Sequence, residues 1–245
     1  QKIDHLSNGE AKKFLIDRAL KKHPIFLILD EPFEGLDQSS KLSFIKNIGQ
    51  LMKSGIQIIL ITHQITNIPP SASHILLLKN GQIIDQGEKN KILNSENIKE
   101  LYKDNSFDNN PRKDVIDQVS ISNNYNNLPK ILIKMENITV RYGKKIILNN
   151  LSWQMKKGEN WAIVGPNGIG KSTFLKLITG ENPQAYANKI TIFGKKKGTG
   201  ETLWEIKKYI GEIFPETQLN YLKNINSFDV ILSGFFDSVG LYYYP

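Results

Sequence analysis

Nine residues, GPNGIGKST at 165–173, set the strictest condition on what this chain can fold into. They follow the apolar run NWAIV and precede TFLKL, so a buried strand must pass through a glycine-rich turn directly into a helix. Gly165, Gly168 and Gly170 let the backbone turn its N–H groups toward an anion without a Cβ clash. Pro166, Asn167 and Thr173 fill out the segment, and Lys171 places a point charge where the positive end of the helix dipole already favours negative ligands. The complete G-x-x-x-x-G-K-S pattern reads as a loop that cradles phosphates, with the Ser172 hydroxyl suited to Mg²⁺. A turn that merely joins strand to helix is the plainer alternative, and the full pattern in this context argues against it.

A phosphate loop of this kind works with carboxylates on a neighbouring strand. The stretch PIFLILDEPFEGLD at 24–37 supplies them: an apolar strand ending in Asp30 and Glu31. Asp30 can hold Mg²⁺ through water, and Glu31 can orient or deprotonate an attacking water. Strands that end in solvated carboxylates are common, so this signal gains weight from its company. His63 follows a second buried run, QIILIT, where a side chain emerges at the sheet edge. His5, His23 and His74 lack such a context. HLSNGE at 5–10 opens a helix, with Ser7 as a cap and Gly9 permitting close approach of another chain or a phosphate. Tyr142 in VRYGKK is a turn tyrosine or an aromatic platform for a base. The order is unusual: the residues for water and metal precede the phosphate loop.

Residues 1–102 alternate helical and strand patterns, and NG at 80–81 between two apolar runs predicts a hairpin. Residues 103–130 are rich in Asn, Asp and Ser and read as a linker. From 131 to 245 strands resume, leading into the glycine-rich loop, a helix, two more strands and a final helix at NSFDVILSGFF. The chain starts at Gln1 and stops in LYYYP, which reads as a fragment. Apolar residues make up 40% and charged ones 23%, an ordinary globular balance. With no cysteine, thiol catalysis and zinc–cysteine sites are excluded. No apolar run reaches the roughly 18 residues of a membrane span, and no signal-peptide pattern is present. The net charge of +8 comes from scattered lysines and gives no strong nucleic-acid signal.

Taken together, the motifs resemble those of ATP-binding cassette (ABC) ATPases. GPNGIGKST is similar to the Walker A loop, FLILDEP to the Walker B strand, LSNGE to the signature motif, and EGLD, ending at Asp37, to the D-loop. His63 matches the switch histidine and Tyr142 the adenine-stacking A-loop. NNLSWQMKKGENWAIVGPNGIGKST and VILSGFFDSVGLY further resemble the soluble tandem-cassette ATPases of the ModF (photorepair protein PhrA) type. The resemblance implies an α/β P-loop NTPase fold, a mixed sheet flanked by helices, with the motifs in circularly permuted order. Residues 1–102 would be the C-terminal half of one cassette and 131–245 the N-terminal half of the next.

It also implies ATP and Mg²⁺ as ligands, and ATP hydrolysis as the activity. Gly165, Pro166, Asn167, Gly168, Gly170, Lys171, Ser172, Thr173, Tyr142, Ser7, Gly9 and Asp37 would contact nucleotide. Ser172 and Asp30 would hold the metal, and Glu31 and His63 would act on water. Implied partners are the remaining halves of both cassettes and a membrane transporter subunit. The implied location is the cytoplasm, including the inner face of the membrane. A regulatory or ribosome-associated module, or a binding-only fragment, are the alternatives. Two positions depart from the pattern: Asn8 stands at a usual glycine, and Glu216 and Gln218 are stand-ins for the Q-loop glutamine. One further expectation follows from counting motifs, since each strand of a single cassette occurs about once. The halves would then close on each other and set Asp30 and Glu31 beside Lys171. A linker of roughly 28 residues spans about 30 Å, enough to permit that closure across a chain about 45 Å wide.

Overall fold

The computed structural model describes residues 8–21, 23–101, 128–200, 202–214 and 226–234. Helix α1 (Asn8–Leu20) buries Ala11, Leu15, Ile16 and Ala19 along one stripe. Strand β1 (Phe26–Asp30) is buried on both faces, as its unbroken apolar run requires. Helix α2 (Gln38–Lys53) starts at the Asp37 cap, buries Phe44, Ile48 and Met52, and is followed by Gly55 at φ 96°. After it come β2 (Gln57–Thr62), β3 (His74–Lys79) and β4 (Gln82–Glu88). The β3–β4 hairpin turns through Asn80 and Gly81, both at positive φ, as an Asn-Gly turn demands. Two short helices, α3 (Lys89–Leu93) and α4 (Glu96–Leu101), follow without a clear signal in the sequence.

The second stretch begins with two long strands, β5 (Ile131–Tyr142) and β6 (Lys145–Lys156), and continues with β7 (Trp161–Val164) and α5 (Lys171–Thr179). It ends with β8 (Lys189–Ile192), β9 (Lys195–Lys196), α6 (Leu203–Lys207), β10 (Ile210–Ile213) and α7 (Ser227–Ser233). These strands form two sheets. A six-stranded mixed sheet runs β10-β1-β2-β7-β3-β4, and a four-stranded antiparallel sheet runs β6-β5-β8-β9.

The larger sheet draws strands from both stretches of chain. β7 lies between β2 and β3, parallel to both, and β10 lies parallel to β1. Strand alternation then sends side chains to opposite faces. Phe26, Ile28, Ile59, Ile61, Leu76, Leu78, Trp161 and Ile163 pack toward the four-stranded sheet and α5, where Phe174 and Trp153 meet. Leu27, Leu29, Ile58 and Leu60 face α1 and α2, joined by Val230 of α7. Ala162 and Val164 share a third cluster with Ile75, Leu77 and Ile92. Each such buried aliphatic side chain contributes about 1.5–3 kcal/mol, so the contact between the stretches is part of the core.

Polar bonds fix the register along that contact. Asn160 Oδ1 accepts from Ile58 N (2.7 Å), and its backbone carbonyl accepts from Ser73 N and His74 N (3.0 Å each). Asn149 N donates to Gly81 O at 2.9 Å. A Cβ on Gly81 would stand 2.1 Å from Ile147 O, so only glycine allows the two hairpins to meet this closely.

Candidate functional site

β1, β2 and β7 end on the same edge of the larger sheet, and the residues after them converge there. Loop 165–173 leaves β7 and enters α5 through Gly170 at φ 104°. Its glycines answer to the packing around them. A Cβ on Gly165 would lie 2.3 Å from Leu78 O, and one on Gly170 would lie 2.9 Å from Leu148 Cδ2. Gly168, at φ 77°, faces open space. Two of the three glycines therefore also serve packing against the rest of the fold.

Lys171 is 6% exposed and curls back over its own loop. Its ammonium donates to Gly165 O (2.8 Å), Pro166 O (3.0 Å) and Asn167 Oδ1 (3.4 Å). It also lies 3.3 Å from Glu31 Oε1. That oxygen is buried and makes no aligned hydrogen bond, so the contact is Coulombic. The Ser172 hydroxyl donates to Asp30 Oδ2 at 2.7 Å, and Asp30 is 4% exposed. His63 Nδ1 and Glu31 Oε2 share a hydrogen bond at 3.0 Å. The expected juxtaposition of Asp30 and Glu31 with Lys171 is thus present across the shared sheet.

Glu31 holds its place at some conformational cost. Its φ of 45° lies in the left-handed region, which costs a non-glycine residue on the order of 1 kcal/mol. Its N–H still extends the ladder, donating to Ile61 O at 3.1 Å. Strain of this kind persists where the surroundings over-determine it, as they do here through His63, Lys171 and the β2 backbone.

Tyr142 ends β5 with its ring more than half exposed, and its hydroxyl accepts from Asn182 Nδ2 at 3.0 Å. Asn182 also caps the turn after α5, accepting from Gln184 N, so it ties the tyrosine to the helix that carries Lys171. Gly9 and Asp37 gather elsewhere. The nearest neighbours of a Cβ on Gly9 are Ser40 and Leu36, and Ser40 Oγ donates to Asp37 Oδ2 at 2.6 Å. Hydrogen bonds from Ser40 and Ser39 hold the Asp37 carboxyl well below the usual carboxylate range. Ser7, Glu216 and Gln218 lie outside the described residues, as does most of 103–130.

Ser172 and Asp30 present a hydroxyl and a carboxylate oxygen on adjacent positions, a hard-donor pair that suits Mg²⁺. Glu31, Glu34 and His63 also bring ligand atoms within 4.8 Å of one another, but Glu34 is exposed. Residue types alone did not point to Lys12, Asn160 and Asn182. Lys12 looks like any solvated helix lysine, and the two asparagines act through contacts with distant backbone.

Residues 148–234 match the family model of ABC transporters. The ABC transporter ATP-binding protein ModF of Escherichia coli (strain K12) is 38% identical over 242 residues, covering 99% of this chain and 49% of that protein. An uncharacterized ABC transporter ATP-binding protein of Schizosaccharomyces pombe is 30% identical over 236 residues, covering 94% and 45%. The ATP-binding protein Uup of Buchnera aphidicola is 27% identical over 220 residues, covering 74% and 36%. The chain spans about half the length, or less, of these curated relatives. No helix among the described residues is long and apolar enough to cross a membrane. With a matching family model, a ModF relative along almost its whole length and a mixed sheet from which a glycine-rich loop leads into a helix, this chain belongs to the ABC family of P-loop ATP-binding proteins and resembles its ModF-like members.

Proposed function

We propose that this chain binds Mg·ATP at loop 165–173 and hydrolyses it with carboxylates delivered from residues 30 and 31. The reading rests above all on the Ser172–Asp30 hydrogen bond of 2.7 Å, beside a Lys171–Glu31 separation of 3.3 Å. Loop and carboxylates come from separate stretches of the chain, and a purely structural turn has no need of that company.

Lys171 exchanges the carbonyls of Gly165 and Pro166 for β- and γ-phosphate oxygens, while the N–H groups of residues 165–173 surround the phosphates. Ser172 and Asp30 hold Mg²⁺, which neutralises charge on the phosphates when bound. Glu31 takes the proton of the attacking water or orients it, and His63 keeps its carboxylate turned toward that water. The exposed ring of Tyr142 stacks on the adenine. Ser7 and Gly9 cap a phosphate from across an interface, with Asp37 beside them. In a longer protein, residues 1–102 and 131–245 are halves of neighbouring cassettes. Here the first supplies water chemistry to the phosphate loop of the second.

Calorimetric titration with Mg·ATP, with phosphate release followed in parallel, tests this on the parent, Lys171→Ala and Glu31→Gln. Lys171→Ala should weaken binding by at least about a hundredfold. Glu31→Gln should bind within a few-fold of the parent and lose turnover by about a hundredfold or more. Unchanged binding in Lys171→Ala removes the phosphate-loop reading. Binding without turnover in the parent removes the hydrolytic half and keeps the rest.

A further inference from the structure

The chain that follows Glu31 is held from the side by α1. Lys12 Nζ donates to Pro32 O at 2.8 Å and to Glu34 O. One turn earlier, Asn8 Nδ2 donates to Gly35 O at 3.2 Å. Positions 8 and 12 are four apart and so lie on one face of the helix. Three carbonyls of the five residues 31–35 thus end on two side chains of α1. Within the loop, Glu34 N donates to Glu31 O (3.2 Å) and Leu36 N to Phe33 O (3.4 Å). Phe33 is 3% exposed and packs edge-on against Phe44 of α2 at 6.1 Å.

These bonds bear on one strained residue. Glu31 sits at φ 45° with its carboxylate between Lys171 and His63, and nothing in its own conformational preference keeps it there. The hydrogen bonds of residues 32, 34 and 35 oppose its relaxation toward an ordinary φ. We propose that Lys12, supported by Asn8, is a positioning residue that locks loop 31–35 onto α1 and so sets the reach of the Glu31 carboxylate toward the phosphate loop. The lock extends the hydrolytic reading above and rests on it for its catalytic consequence. Lys12 touches no reacting atom. Its ammonium is drawn into a half-buried setting that lowers its pKa from the ordinary value, with Glu34 offsetting part of the shift. A surface lysine with nothing to hold would stay in water. α1 also carries the glycine proposed to meet a phosphate across an interface, so engagement of that end reaches Glu31 through a few bonds.

The test compares Lys12→Met, which keeps the apolar stem and removes the donors, with Lys12→Arg, which keeps donors. Mg·ATP affinity, turnover and amide exchange are measured on the whole chain. Lys12→Met should lower turnover about ten- to a hundredfold, as a small misplacement of a catalytic group does, and change affinity less than about threefold. Lys12→Arg should restore turnover to within about fivefold of the parent. In Lys12→Met the Glu34 and Leu36 amides should exchange about tenfold faster, while those of β2 stay as they were. Unchanged exchange at Glu34 and Leu36 overturns the lock. Parallel loss of affinity and turnover, or equal loss in both variants, overturns its positioning role in favour of a general structural one. If the parent chain shows no turnover, the hydrolytic reading fails by itself, and the exchange measurement alone decides the lock.

Discussion

The two sheets are assembled by different rules. Every pairing of the four-stranded sheet falls within residues 131–196, and its longest partners, β5 and β6, are joined by a hairpin. The six-stranded sheet instead inserts β7 between β2 and β3 and sets β10 beside β1, so three of its five pairings join distant parts of the chain. Such pairings must overcome loop-closure entropy before they return any contact energy. The proposed site lies on the costlier sheet. Asp30, His63 and loop 165–173 follow the C-terminal ends of β1, β2 and β7, the edge where open α/β sheets place their ligands. The local sheet contributes Tyr142 at a hairpin end and Leu148 under Gly170. If loop 165–173 and the carboxylates of residues 30 and 31 act together as proposed, they do so only when the long-range sheet that joins their two stretches of chain is formed.

Cutting the chain offers the harshest way to break this contrast. A protease site introduced between residues 102 and 127 should be cleaved to give two pieces that still elute together and part only in denaturant. Separation in native buffer would mean that the strand pairings across the two stretches are too weak to form one core. A paired glycine substitution sharpens the same contrast. Gly81→Ala drives a Cβ to 2.1 Å from Ile147 O and should cost about 3 kcal/mol or more in urea unfolding. Gly143→Ala, in the β5–β6 turn at φ 58° with open space around it, should cost only about 1 kcal/mol. Equal costs would deny that the contact between stretches is the more tightly packed. Asn160→Ala comes next. It leaves the buried Ile58 N–H without its 2.7 Å acceptor and should cost about 1–3 kcal/mol.

The sequence announced strands well because they are local patterns. FLIL, IILI and WAIV are unbroken apolar runs, and each became the body of a strand buried on both faces. NG at 80–81 became the expected hairpin turn. What pairs with what was legible only through the family resemblance, since nothing in WAIV says that its neighbours are β2 and β3. Short helices such as α3 and α6, five residues each, escaped because so few turns cannot display a helical period. Lys12 escaped for a different reason. A helix lysine three residues after Gly9 looks solvated until the carbonyls of Pro32 and Glu34 are seen to face it. Gly165 and Gly170 were read as an anion cradle, and the close approach of Leu78 and Leu148 is a second demand that only the assembled fold reveals.

The smallest effect is expected at Asp37, which belongs to the helical flank of the shared sheet. Its Oδ1 accepts from Ser39 N (2.9 Å), Ser40 N (3.0 Å) and Ser39 Oγ (2.7 Å), and its Oδ2 from Ser40 Oγ. All of these donors favour the ionised carboxylate, led by the Ser40 hydroxyl, so its pKa falls from the ordinary 3.8. A depressed carboxylate binds fewer protons in the folded state than in the unfolded one. Its contribution is therefore complete above pH 3.8 and is lost as pH falls through the lower folded value. Asp37→Ala removes both the cap of α2 and this proton linkage, and because the group is solvent-exposed the change in stability should be modest. Urea midpoints of parent and variant between about pH 2 and 7 test the linkage. The gap between them should hold steady above pH 3.8 and narrow below it. A gap of constant width down to the lowest pH would show that the serine hydroxyls do not favour the charged cap. The start of α2 would then owe its stability to Phe44 and Ile48 packing on the larger sheet.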